Sequence, residues 1–106
     1  MIIVTTNDLP GYRVMSVVGL ARGITVRSRS IIGNLGGAIQ SIFGGNISVY
    51  TNLAEQARSE ALSLLTSDAQ KMGANAIIAM RYDANEIMDG ITEVLAYGTA
   101  VVVEKA

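Results

Sequence analysis

Lys71-Met72-Gly73-Ala74-Asn75-Ala76-Ile77-Ile78 carries a helix stop and a buried-strand start within a few residues. Glycine is the residue that most readily takes the left-handed conformation just past a helix end, so Gly73 marks the stop. Upstream, Asn52 to Met72 is predicted as one long helix. Leu53, Ala57, Ala61, Leu64, Leu65 and Met72 share one face on a 3.6-residue period, with Ala54 and Ala69 beside them. So many alanines let a helix sit close against a sheet. Asn52, with Glu55 three residues on, resembles a capping box that would open this helix. Downstream, Ala76 to Tyr82 and Thr92 to Glu104 are predicted strands separated by a polar loop, Asp83 to Gly90, which fits an antiparallel hairpin with a long loop. In the last run both alternating sets, Val94, Ala96, Ala100, Val102 and Leu95, Tyr97, Val101, Val103, are apolar. Such a strand lies between two layers, and in a one-helix domain the second layer is expected from a neighbouring subunit.

Toward the N-terminus, Ile2 to Thr6 reads as a short strand ended by the turn Asn7-Asp8-Leu9-Pro10-Gly11. Tyr12 to Arg29 is a long β stretch interrupted by Gly19 and Gly23, expected to mark a bulge or bend, with close approach to a ligand as the alternative. From Ser30 to Gly45, Ile31, Ile32, Leu35, Ala38, Ile39, Ile42 and Phe43 recur at helical spacing, but Gly33, Gly36 and Gly37 weaken any helix. No charged side chain stands between Arg29 and Glu55. The segment is therefore expected as a short, buried or interfacial glycine-rich helix; a membrane-surface helix would carry Lys or Arg on its polar face. Gly44-Gly45-Asn46 then turns into a strand or link over Ile47 to Tyr50.

At 106 residues the chain fits a single domain with one modest core. Half of it is hydrophobic, 16% is charged, and mean hydropathy is +0.39. An average domain carries about 25% charged residues. A domain this small needs more polar surface than that, so part of its apolar surface is expected to be buried against further copies of itself. The net charge of -1 supplies no field for a polyanion, which argues against a nucleic-acid partner. Arg13, Arg22, Arg27 and Arg29 fall early and Glu86, Asp89, Glu93 and Glu104 late, a pattern that suits pairing between segments or subunits. With no Cys and no His, there is no disulfide framework, no thiolate nucleophile, no imidazole base and no soft or borderline metal ligand of the usual kinds. No basic leader and no apolar run of membrane-spanning length is present, so the expectation is a cytoplasmic protein with no membrane partner.

Leu9-Pro10-Gly11-Tyr12, Gly44-Gly45, Tyr50, Glu55-Gln56-Ala57-Arg58, Ala61, Gly73-Ala74-Asn75-Ala76-Ile77-Ile78 and Glu93-Val94-Leu95-Ala96-Tyr97-Gly98-Thr99-Ala100-Val101 together resemble the YbjQ-like family. These are small bacterial and archaeal proteins that carry a heavy-metal-binding label but no characterised activity. The resemblance covers nearly the whole chain. It implies an α+β, dodecin-like subunit, with a curved antiparallel sheet on one main helix, assembling into a ring, usually a pentamer. With no Cys or His here, a metal would have to use Asp, Glu, Met or carbonyl oxygen.

The candidate sites are few. Asp83, Glu86, Asp89 and Glu93 suit a hard cation, but their spacing matches no EF-hand loop, and a solvated loop accounts for them as well. Met15, Met72, Met80 and Met88 could offer thioethers to Cu(I), although Met is ordinarily a core filler. Gly33-Asn34-Leu35-Gly36-Gly37 could cradle an anion but lacks the endings of a phosphate loop. Serines and threonines have no histidine to activate them, and a Ser-Lys pair would have to draw on Lys71 or Lys105. Glu55 and Arg58 on the helix, with Arg81, Asp83, Glu93 and Tyr97 on the sheet, are the polar residues singled out, either as salt bridges within a ring or as a ligand site. Asp68 falls within the apolar helix face, where a carboxylate needs a partner. Three functions remain open: a non-enzymatic ring that binds or scaffolds, a metal-binding protein using carboxylates clustered at subunit interfaces, and an enzyme with an interface site. No cofactor is specified.

Overall fold

The computed structural model describes residues 1–28 and 48–106. Their elements are β1 (Ile2–Ile3), β2 (Tyr12–Ser28), α1 (Ser48–Lys71), β3 (Ala76–Met88) and β4 (Ile91–Lys105). The glycine-rich helix expected over Ser30 to Gly45, and the anion cradle within it, lie outside the described residues.

The four strands form one sheet in the order β1-β3-β4-β2, with α1 packed across one face. The fold is α+β, as expected, but the sheet is mixed: β1 runs parallel to β3, while β4 is antiparallel to both β3 and β2. This corrects the all-antiparallel expectation. The reason is the long crossover, since the N-terminal strand reaches the far edge of the sheet and arrives beside β3 in the same direction. Val4 and Thr6 continue the contact beyond β1, their carbonyl oxygens accepting from the N–H groups of Met80 (3.0 Å) and Ala79 (2.8 Å).

The corner at Gly73 forms as predicted. Gly73 has φ 89°, the Ala74 N–H donates to Ala69 C=O at 3.0 Å, and the Gly73 N–H donates to Gln70 C=O at 3.0 Å. These are the two crossed hydrogen bonds of a Schellman stop. Asn75 then joins β4: its backbone N–H donates to Val101 C=O at 3.1 Å, and its side-chain amide both donates to Val103 C=O and accepts from Val103 N–H at 2.8 Å.

Two boundaries differ from the sequence reading. The helix already includes Ser48, Val49, Tyr50 and Thr51, so Asn52 and Glu55 sit inside it and cap nothing, and Ser48 to Tyr50 is no strand. Local β propensity there yields to cooperative helix extension. The polar loop Asp83 to Gly90 is also absent. β3 runs on to Met88, and only Asp89-Gly90 separates the strands, with Gly90 at φ 78°.

The core lies between α1 and the sheet. Ala57, Ala61, Leu65 and Ala69 of the helix meet Ala21 of β2, Ile77 and Met80 of β3, and Val94, Ala96 and Ala100 of β4. Leu53 and Met72 are half-buried, whereas Leu64 and Ala54 turn outward, so the buried helix stripe is narrower than predicted. Gly19 sits at a β-bulge with φ 149°, as expected. Gly23 does not: it lies in the regular ladder opposite Ala96, and what approaches it is the helix backbone rather than a ligand. On the opposite sheet face a second cluster of Ala76, Val101 and Val103, packed by Ile2, Leu9, Tyr12 and Ile78, covers only the end nearest β1. The rest of that face has no covering layer among the described residues. The described residues extend over 55 × 25 × 18 Å with a radius of gyration of 17.2 Å, against about 13 Å for a compact domain of about 100 residues.

Candidate functional site

Residues opposite one another across a ladder share a face, and successive residues alternate faces. Val94, Ala96, Gly98 and Ala100 are buried where the helix lies, so Leu95, Tyr97 and Glu93 belong to the open face. Register places Arg22, Ile24 and Val26 of β2 beside Tyr97, Leu95 and Glu93, and Arg81, Asp83 and Asn85 of β3 on their other side. Leu20, Arg22, Ile24, Asp83, Glu93, Leu95 and Tyr97 line one depression of about 290 Å³.

Four of the six residues singled out in the sequence, Arg81, Asp83, Glu93 and Tyr97, therefore share this face, and three of them line the depression. Arg81 is the exception: its Nη1 donates to the carbonyls of Thr5 and Met80, each at 2.8 Å, which ties the N-terminal segment to β3. The other two lie elsewhere. Glu55 is exposed on α1, and Arg58 holds its guanidinium 5.9 Å from the centroid of the Tyr82 ring on the helix side of the sheet. There Arg58 borders a cleft of about 370 Å³ with Tyr50, Leu53, Ala57, Ala84 and Val94. Arg22, read in the sequence as one of the early arginines suited to pairing, also lines the depression. The alternation of β2 could have found it, since Ala21 and Gly23 flank it and face the helix.

The depression combines a guanidinium, two carboxylates and a phenol with the apolar walls of Leu20, Ile24 and Leu95. It offers hydrogen-bond donors and acceptors side by side. Glu86 is on the other face, and its Oε1 accepts from the Gly90 N–H at 2.9 Å, so the four late acids do not converge. Among the described residues, no group of three or more Asp or Glu stands where it could hold a metal ion. The thioethers do not gather by burial either: Met80 is in the core, Met72 half-buried, and Met15 and Met88 are exposed. Asp68 has the partner its position demanded, its Oδ2 accepting from the backbone N–H of Arg22 at 3.0 Å. Of the early arginines, Arg13 pairs with the late Glu104 at 2.7 Å, Arg27 pairs instead with Glu60 of the helix, and Arg29 lies outside the described residues. No described helix is long and apolar enough to cross a membrane.

Among the described residues, one helix on a four-stranded sheet, with a mixed polar depression on the other sheet face, defines a small α+β domain. The chain belongs to the YbjQ-like family, whose model, described as "Putative heavy-metal-binding", matches residues 1–104. It is 58% identical over 102 residues to a UPF0145 protein of Chromobacterium violaceum, spanning 96% of this chain and 87% of that one. A UPF0145 protein of Burkholderia lata is 57% identical over 104 residues, with 98% and 87% covered. In fold, the chain resembles a crystal structure of a DUF74-family protein of unknown function from Pediococcus pentosaceus, with a TM-score of 0.65, 18% identity and 98% of each chain covered. The family description meets a poor fit in this chain: without Cys or His, and with Arg22 beside Asp83 and Glu93, a single chain lacks the donor set of a soft heavy-metal site.

Proposed function

We propose that this chain is a non-enzymatic, homo-oligomeric binding or scaffold protein of the cytoplasm, built as a ring that is five-membered on the family resemblance, for a ligand still to be identified. One observation carries the reading. The sheet face away from α1 exposes Val14, Val17, Leu20, Ile24 and Val26, with Val17 at 68% and Leu20 at 64%. Large apolar side chains exposed in a row along one strand of a small domain, here interrupted by Arg22, support an interaction surface. In a ring it turns toward the other copies, and the depression around Arg22, Asp83, Glu93 and Tyr97 lies beside the shared surface. Leu20→Glu tests this: it removes no core contact, and light scattering should show the assembly reduced to single chains that remain folded. A variant that keeps the parent's molar mass counts against the reading.

A second reading, uptake of a divalent ion by carboxylates repeated around a symmetry axis, is supported by Asp83 and Glu93 lining one depression. Two carboxylates per chain, multiplied by symmetry, supply oxygen ligands no single chain gathers. Calorimetric titration of the assembled protein with Mg, Ca, Mn, Ni, Cu and Zn should give heat that is lost in Asp83→Asn, and silence with all six would rule this reading out.

A further inference from the structure

Opposed residues of β2, β4 and β3 form rows across the open sheet face, and the charges sort by row. Arg22, Tyr97 and Arg81 make one row, Ile24, Leu95 and Asp83 the next, and Val26, Glu93 and Asn85 the one after. The first row holds two guanidiniums and no acid, whereas the other two hold two carboxylates and no base. Successive rows lie two residues apart along a strand, about 7 Å. Positive and negative ends are therefore separated across Leu95 rather than mixed.

These charges are not spent on one another. Among the described residues, no ion pair or side-chain hydrogen bond engages Arg22, Asp83, Glu93 or Tyr97. Arg81 is committed to the Thr5 and Met80 carbonyls, which leaves Arg22 as the free guanidinium of its row. The backbone of Arg22 is held in place, its N–H on Asp68 Oδ2 at 3.0 Å, and Glu93, Leu95 and Tyr97 are half-buried on the central strand. One depression of about 290 Å³ joins the two ends, with Leu20, Ile24 and Leu95 as its apolar walls. Arg22 has no use in a site for a simple cation, but it completes a site for a molecule that carries both charges.

We infer that this depression binds an ω-amino carboxylate, with the ligand carboxylate on Arg22 and the Tyr97 hydroxyl, its ammonium at Asp83 and Glu93, and its methylenes along Ile24 and Leu95. The inference rests on the binding half of the reading above and names the ligand class. A guanidinium takes a carboxylate through two parallel N–H donors, and an ammonium has three donors to share between two carboxylates. A ligand with one charge leaves the opposite end of the site unanswered, which sets the specificity. An α-amino acid holds its charges too close together to reach both rows. 6-Aminohexanoate, fully extended, matches the row spacing, and a lysine at the C-terminus of a peptide presents its ammonium and carboxylate at the same separation.

Calorimetry and ligand-observed NMR on the purified full chain at low salt, where screening is least, test the site. 6-Aminohexanoate should bind, and hexylamine and hexanoate, which keep one charge each, should bind at least about tenfold more weakly. 3-Aminopropanoate, with its charges drawn together, should fall off likewise. Arg22→Gln and Asp83→Asn should each weaken 6-aminohexanoate by about tenfold or more, while Glu55→Gln on α1 leaves it unchanged. A lysine-ending peptide that binds while its C-terminal amide does not identifies a protein tail as the source, and a site that takes only the free compound identifies a small metabolite. No binding of 6-aminohexanoate by either method, or hexylamine binding as well as it does, overturns the proposal. Native mass spectrometry of the same samples keeps the two readings apart: binding by a single chain fails the ring and keeps this site, and an intact assembly without binding does the reverse.

Discussion

Gly23 and Ala61 stand in backbone contact across the sheet–helix interface: a β-carbon on Gly23 would lie 2.3 Å from the Ala61 carbonyl oxygen. It would also lie 2.3 Å from the Leu65 nitrogen, and neither atom can rotate away as a side chain can. The close approach depends equally on the alanines of α1, Ala57, Ala61 and Ala69, which keep the helix axis near the sheet.

Gly23→Ala must therefore push α1 off β2. The expected cost is about 3 kcal/mol or more, at the upper end of overpacking effects, read as a lower urea midpoint at fixed protein concentration. A variant as stable as the parent would show that the helix sits further out.

Asn75→Ala removes a two-way bond between its side chain and Val103, whose N–H and C=O are both at 2.8 Å. Leaving these strand groups without partners is expected to cost about 2 kcal/mol. Asn75→Asp should be no better, because a carboxylate has no hydrogen to give the Val103 carbonyl. Chemical denaturation of both variants checks this.

Thr25 lies against the helix at 4% exposure, and its Oγ1 has no hydrogen-bond partner among the described residues. Thr25→Val replaces an unsatisfied hydroxyl by a methyl of the same shape. The expected outcome is a gain of about 1 kcal/mol, seen as a raised urea midpoint. A loss of that size would mean the hydroxyl has a partner.

Ala79 has φ 53° in the β3 bulge between Ile78 and Arg81. A side chain there costs about 1 kcal/mol that glycine avoids, partly offset by the greater freedom of glycine in the unfolded chain. Ala79→Gly should be neutral to slightly stabilising, and Ala79→Val clearly destabilising. Thermal melts of the two, side by side, test the order.

Much of the fold could be read along the chain because its signals are local. Gly73 announces its own helix stop, and the Ala57, Ala61, Leu65, Ala69 stripe carries the helix period. What escaped lacks such signals. Arg81 to Met88 is a strand exposed on both faces, so its side chains show no alternation, and Asp83 to Glu86 read as a polar loop although Asp89-Gly90 is a strong hairpin signal. Val49, Tyr50 and Thr51 favour strand locally, and only the cooperativity of the whole helix overrides them. The parallel pairing of β1 with β3 joins segments some seventy residues apart, beyond any local pattern. In the candidate site, Arg81, Asp83, Glu93 and Tyr97 were seen and do share a face. Arg22 stands outside that set: the alternation of β2 gives its face, and only the register opposite Tyr97 places it in the depression.

The central claim is self-association through the uncovered sheet, and native mass spectrometry of the freshly purified protein at micromolar concentration tests it most directly. The account predicts a discrete closed assembly at a multiple of the 11.1 kDa chain, five on the family resemblance, with any retained ligand visible as a constant added mass. A single 11.1 kDa species under the same gentle conditions would contradict it.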